Sequence, residues 1–388
     1  MGNAPKRRFK GFTDEWQQCK IKEICSVSTG KANTQDKEEG GKYPFYVRSA
    51  IIERSNSYLY DEEAVLTVGD GVGTGKVHHY VTGKYNLHQR VYRMFDFASE
   101  VYGKYFYLFF SNKFIHRVNA MTAKTSVDSV RLEMIAEMDF KFPSLAEQKK
   151  IADFFFTLDA NITTQTQKLQ KQTALKTAYL TEMFPAPGQT APKRRFKGFA
   201  DEWNEKELQE CFNISNGYTP SKSNERYWTN GTIPWFRMED IRQNGHILSD
   251  SIQKITPEAV KRKLFPANSI LFATTATVGV HALIIVDSLA NQQFTSIDVN
   301  CCYKINPLFA FYATYALADW CKVNINTGGL VAVNMAGFKK WAFAFPCLKE
   351  QTQIGNFFKT MDDLIAIETQ KLEKLQALKQ AYLSEMFV

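Results

Sequence analysis

Two stretches of the chain carry apolar residues at steps of three and four, or sums of them. In the first, Ile151, Phe155, Leu158, Ile162, Leu169, Leu175, Tyr179 and Met183 keep this spacing; in the second, Ile354, Phe358, Met361, Ile365, Leu372, Leu378, Tyr382 and Met386 do. Such spacing gathers apolar side chains into one stripe of an α-helix. Neither stretch has an internal proline, and the only glycine is Gly355, near the start of the second. Each predicts a helix of about 40 residues, roughly 60 Å long. Pro143 marks the first boundary, and Ser144 with Glu147 has the form of a capping box. A stripe of that length cannot stay in water, so each helix needs a partner, most economically the other.

A different pattern precedes each stretch. Short β-branched and aromatic runs, among them Ala64–Val68 and Ser269–Ala273, lie between Gly, Asn and Pro turns and predict strands. Tyr102–Phe110 and Leu308–Trp320 predict one buried helix late in each region, with Asn306-Pro307 as the turn into the second. Asp61-Glu62-Glu63 reads as a solvated turn. The glycine-rich run Gly69–Lys76 is not a phosphate loop, because Asp70 and Val77 stand where a glycine and a Ser/Thr are required. It reads as a tight loop whose Thr74 and Lys76 can face phosphates.

These patterns belong to a duplication. Pro5–Trp16 (PKRRFKGFTDEW) returns as Pro192–Trp203 (PKRRFKGFADEW), while residues 17–141 and 204–344 share little. The expected layout is a first head over 1–142, a long helix over 143–184, a linker over 185–191, a second head over 192–344 and a second long helix over 345–388. The Pro- and Gly-containing linker reaches only about 25 Å, which favours antiparallel helices. The predicted fold is α+β: two mixed α/β heads at opposite ends of an antiparallel two-helix coiled-coil rod, related by a pseudo-twofold axis. Ile151, Phe155, Leu158, Ile162 and Leu169, with Ile354, Phe358, Met361, Ile365 and Leu372, are the expected packing residues of the rod.

Charge adds a partner class. The net charge is +8, and the surplus falls on the heads and their leading arms, which favours a polyanion there. Seven cysteines without a Cys-x-x-Cys pair do not recur between the halves, so a reduced, cytoplasmic protein is expected. No metal spacing, signal peptide or membrane-length apolar run is present, and no catalytic constellation appears.

The order of motifs, a variable head followed by Phe-Pro-x-Leu-x-Glu-Gln-x-x-Ile (Phe142–Ile151 and Phe345–Ile354) and a long helix, all doubled, resembles the specificity subunit of type I restriction–modification systems. Asn216-Gly217-Tyr218-Thr219-Pro220, Tyr227-Trp228, Ile233-Pro234-Trp235, Asp240-Ile241 and Ala290-Asn291-Gln292-Gln293 are similar to the target-recognition domains of that family. The first head departs, with Leu87-His88-Gln89-Arg90 where the family often has Asn-Gln. The resemblance implies a non-catalytic DNA-recognition chain whose two heads each read half of an interrupted duplex-DNA site. It implies docking of two methyltransferase (modification) subunits and of restriction/translocase subunits. S-adenosylmethionine, ATP and Mg would sit on those partners, none on this chain, and no membrane is involved.

Polar loop residues are the candidates for base readout: Arg48, Thr74, Lys76, His88, Gln89 and Arg90 in the first head, and Lys222, Arg226, Arg237, Arg242, Thr275, Gln292 and Gln293 in the second. Arginine can pair bidentately with guanine and glutamine with adenine. The arm cations Lys6, Arg7, Arg8 and Lys10, with Lys193, Arg194, Arg195 and Lys197, either touch phosphates or belong to the frame. Their near-identity between halves favours the frame, since recognition should differ. A coiled-coil scaffold with two peptide-binding heads is the competing expectation.

Overall fold

The computed structural model describes residues 5–71, 73–122, 129–186, 188–299, 303–326 and 331–387. Val72 of the glycine-rich run, Pro187 of the linker and two of the seven cysteines, Cys301 and Cys302, lie outside them. The chain divides into two compact units, Met1–Thr166 with Gln370–Val388, and Gln167–Thr369.

In the first unit, strand β1 (Gln17–Lys20) leads through the short helix α1 (Ile21–Ile24) to a six-stranded sheet. That sheet is built from β2 (Ser26–Thr29), β3 (Tyr43–Tyr46), β4 (Ile52–Ser55), β5 (Tyr60–Val68), β6 (His78–Leu87) and β7 (Val91–Phe95), in the order β2-β7-β5-β6-β3-β4. Only β3 and β6 pair in parallel. Alternate side chains of β5 feed different cores, as a two-residue period requires. Val65 packs with the aromatic face of α2 (Gly103–Thr122), whereas Ala64 and Leu66 pack with Val81, Tyr85 and Val91. Asp61-Glu62-Glu63 is therefore strand, not turn. Glu62 accepts from Tyr85 Oη and pairs with Arg93, and Glu63 accepts from Tyr80 Oη. Helix α3 (Leu132–Ala136) and β8 (Asp139–Phe142), paired with β1, close the head.

The second unit repeats this topology. From β9 (Asn204–Glu207) and α5 (Leu208–Cys211) the chain enters β10 (Asn213–Asn216), β11 (Ile233–Phe236), α6 (Met238–Asn244), β12 (Ile247–Leu248) and β13 (Lys254–Ile255). It continues through β14 (Ile270–Ala273), β15 (His281–Ile284), β16 (Leu289–Ala290) and β17 (Phe294–Asp298). The orders β10-β17-β14-β15-β12 and β13-β11-β16 reproduce the first sheet, split where Ile285–Ser288 interrupts what is one strand, β6, in the first head. Helix α6 and β12 are additions. Asn306 caps α7 (Pro307–Val323), its Oδ1 accepting from Phe309 N at 3.1 Å. A ribbon of β18 (Ile325–Asn326) and β19 (Ala332–Val333), helix α8 (Met335–Lys339) and β20 (Ala342–Phe345), paired with β9, complete the head.

The two long helices, α4 (Leu145–Glu182) and α9 (Leu348–Met386), each contribute to both units. Within each unit they run antiparallel. In the first, Phe154 meets Tyr382 and Phe155 meets Phe387; in the second, Tyr179 meets Phe357 and Phe184 meets Phe358. The same ion pair serves each unit with the helices exchanged, Lys379–Asp159 in one and Lys176–Asp362 in the other. Ile151, Phe155, Leu158, Ile354 and Phe358 are buried, while Ile162, Leu169, Met361, Ile365 and Leu372 are half-buried. Leu175 and Leu378 leave the stripe and are more than 40% exposed. The neighbours Lys176 and Lys379 turn inward instead, because Asp362 and Asp159 give their ammonium groups partners.

The Leu-x-Glu-Gln motif ties arm, head and helix together. Glu147 does not complete a capping box with Ser144. It is buried and takes both Nε and Nη2 of Arg8, at 3.0 and 2.6 Å. Gln148 accepts from Tyr102 N at the entrance to α2 and donates to the carbonyls of Glu100 and Pro143. Glu350 with Arg195 and Gln351 with Asn306 N repeat both arrangements. Arg7 pairs with Glu385 and Arg194 with Glu182, so these arm arginines belong to the frame.

Candidate nucleic-acid interface

In each head three loops are drawn to one four-residue segment. In the first head this is Leu87–Arg90, in the second Ala290–Gln293. Gly30, just past β2, lies so close that a Cβ there would meet the Leu87 and His88 carbonyl oxygens at 2.2 and 2.5 Å; at Gly217, just past β10, it would meet those of Asn291 and Ala290 at 2.2 and 2.4 Å. His88 N donates to Tyr46 O, as Asn291 N does to Phe236 O, both at 3.0 Å. Gly69 N donates to Arg90 O at 2.9 Å and Thr274 N to Gln293 O at 3.0 Å. Asp70 then bridges Ser129, and Thr275 bridges Ala332. One backbone frame thus presents two different sets of side chains.

On the first frame the structure gathers most of the predicted residues. Arg48 and Arg90 flank Asp70, with nitrogen–oxygen separations of 3.6 and 3.8 Å. Asp70 Oδ1 is buried and has no hydrogen-bond partner. Both guanidinium groups are more than half exposed, so they cover this carboxylate loosely. Gln89 donates to Asn33 Oδ1 at 2.7 Å and remains exposed. Lys76 is exposed on the glycine turn, and Thr74 donates to Gly71 O. His88 points inward: it is 4% exposed and its Nδ1 accepts from Arg90 N at 3.0 Å. Burial, then the neighbouring Arg48, lowers its pKa and favours the neutral ring. It shapes the loop and does not face outward.

On the second frame Gln292 is exposed and hydrogen-bonded to Thr219, while Gln293 is held by Asn291. Arg237 leaves the end of β11 with its guanidinium 6.0 Å from the Trp235 ring centre and its Nε buried without a partner. Thr275 is half-buried beside Ala332. Lys222 and Arg226 are exposed on the loop that follows Gly217. Arg242 is exposed on α6, which leads to β12 at the opposite edge of the sheet from β10, and no described hydrogen bond joins it to the segment. The sequence reading missed Asn33, Asp70, Tyr218 and Thr219 as parts of the two frames. The signal was available in Gly30 and Gly217, each the first residue after a strand in its head.

Among the described residues no cluster of His, Cys, Asp or Glu could hold a metal ion, and five cysteines are free. Among the described residues no helix is long and apolar enough to cross a membrane.

Comparison with known proteins agrees with this doubled frame. A 145-residue stretch is 51% identical to the specificity subunit of the type I restriction enzyme EcoprrI from Escherichia coli, covering 36% of each chain. A 195-residue stretch is 31% identical to the EcoR124I/EcoR124II specificity subunit of the same species, covering 48% of this chain and 46% of that one. The chain thus spans about a third to a half of the length of the curated relatives it matches. The fold is shared with the S subunit of a type I restriction–modification system from M. genitalium (TM-score 0.69, 14% identity, 99% of both chains). It is also shared with a chain from a study of assembly and conformational transition in the type I R-M system (TM-score 0.56, 16% identity, 98% and 99%). The model of the type I restriction modification DNA specificity domain matches twice, over residues 13–173 and 200–377, one match per repeat, and the chain belongs to that family.

Proposed function

We propose that this chain is the DNA-recognition component of a type I restriction–modification complex, each head reading one half of an interrupted site. The carrying observation is the pair of matched frames: Leu87–Arg90 and Ala290–Gln293 share backbone hydrogen bonds and differ in side chains. Base edges are read by such side chains, whereas an invariant frame sets position. Arg48, Gln89 and Arg90 are the readers of the first half-site, and Arg237, Gln292 and Gln293 those of the second. Two readers on one face of duplex DNA must stand about 34–36 Å apart, or a multiple, a spacing that stiff helices set better than a flexible linker.

The long helices dock methyltransferase subunits, and restriction subunits join that core. Leu175 and Leu378 support this, for they occupy equivalent places on the two helices and stay exposed although apolar. S-adenosylmethionine, ATP and Mg belong to those partners, and this chain does no chemistry. The test is to replace residues 17–141 by the head of a relative and map methylated adenines in cells that supply the partners. One half of the methylated motif should change and the other persist. A change in both halves, or none, refutes independent reading.

A further inference from the structure

Three consecutive cations, Lys261-Arg262-Lys263, stand on the turn between the 3-10 turn Pro257–Ala259 and β14. All three are exposed. Among the described residues no ion pair holds any of them. This contrasts with Arg194, Arg195 and Lys176 of the same unit, each seated on a carboxylate.

The turn is fixed to the reading frame through one side chain. Tyr218 N donates to Ala290 O at 2.9 Å, placing its backbone against the segment that carries Gln292 and Gln293. Its hydroxyl, at the other end of the ring, donates to Ala259 O at 3.0 Å and accepts from Lys261 N at 2.7 Å. The Arg262 guanidinium lies 5.8 Å from the ring centre. A basic turn is therefore held one tyrosine length from the candidate base readers. That offset suits a duplex, whose base edges form the floor of a groove about 12 Å wide with phosphates along its rims. Lys222 and Arg226 lie on the neighbouring loop, where Thr256 N donates to Tyr227 O, and the two loops together carry five cations against Glu225 and Glu258. The equivalent connection of the first head differs: running from β4 to β5, Asn56–Leu59, it contains no basic residue.

We infer that Lys261, Arg262 and Lys263 form a phosphate clamp beside the second half-site, positioning that head on DNA without reading sequence. This rests on the DNA-recognition role proposed above. Neutralised phosphates release counterions, so log K falls with log salt at a slope of about −0.9 per contact.

The experiment measures affinity of the full chain for a random-sequence DNA duplex over a range of salt concentrations. Wild type is compared with a triple variant, Lys261→Gln, Arg262→Gln and Lys263→Gln. A charge-matched control changes Lys206→Gln, Lys339→Gln and Lys340→Gln, all exposed on β9 and around the end of α8. The clamp variant should lose about two to three units of slope and bind every duplex more weakly, while the control keeps its slope. In cells with the partner subunits, the methylated motif should keep its sequence as its occupancy drops. Equal slopes for the clamp variant and wild type, or equal losses in variant and control, overturn the clamp. A wild-type chain whose DNA affinity does not depend on salt overturns DNA recognition itself, a distinguishable failure.

Discussion

Replacing Arg8 by Met probes how the arm is held. In the native unit Glu147 is 1% exposed and Arg8 14%, with two charge-assisted hydrogen bonds at 3.0 and 2.6 Å and a third from Arg8 Nη1 to Asp14 O at 2.8 Å. Removing the guanidinium leaves a carboxylate in a site from which water is excluded, and breaking such a pair costs about 3–5 kcal/mol. An exposed pair would cost at most about 1 kcal/mol. The double variant Arg8→Met, Glu147→Met removes the stranded charge and should recover most of the loss, because buried pairs contribute little over apolar residues of similar size. Native-state hydrogen exchange suits the measurement, since two units need not unfold together. Amides early in α4 should lose about 3 kcal/mol of protection in Arg8→Met and regain it in the double variant. Arg195→Met should do the same to amides early in α9, where Arg195 holds Glu350 at 2.9 and 2.6 Å. A loss below about 1 kcal/mol, or a double variant as weak as the single, would show that these arginines are surface groups free to touch phosphates.

Burial pushes both His78 and His281 down to about 4. Unfolded histidine titrates near 6.5, so between pH 6.5 and 4 the unfolded chain binds more protons and stability falls as pH falls. Each ring contributes about 2 kcal/mol of loss by pH 5, and urea midpoints of wild type and His281→Phe at pH 7 and 5 should show a smaller drop in the variant. Gly217→Ala should damage the second reading segment, since its Cβ would lie 2.2 Å from Asn291 O; methylome mapping should show the first half-site intact and the second relaxed or unread. A fragment ending at Phe184 loses Phe387, which packs on Phe155, yet its own Tyr179, Met183 and Phe184 match Tyr382, Met386 and Phe387. It should form an antiparallel homodimer by light scattering and direct methylation to an interrupted palindrome of the first half-site; a monomer refutes this.

What could be read from the sequence was whatever depended on period or repetition. The stripes of α4 and α9 were legible because helical spacing persists over many turns, and the duplication showed at the arms. Leu175 and Leu378 misled because period alone cannot say whether the leucine or the adjacent lysine turns inward; Asp362 and Asp159, far along the chain, decide it. The acidic run Asp61–Glu63 misled for a related reason, since the cation and hydroxyls that let it enter β5 come from β6 and β7. The common topology of the heads was hidden because a frame made of backbone hydrogen bonds constrains few side chains. Gly30 with Gly217, and Gly41 with Gly231, where a Cβ does not fit, mark it directly.

The first unit is discontinuous, and this sets an order on its birth. Its last segment, Gln370–Val388, follows the whole of Gln167–Thr369 in the chain. At about 5–20 residues per second, the ribosome needs roughly 10–40 s to make what lies between. Throughout that interval Phe387 is not yet there to pack against Phe155, and by its end the second unit, begun later, has both of its helix halves. The unit synthesised first is completed last, and a nascent chain in that state offers an apolar helix face to chaperones, proteases and other nascent copies.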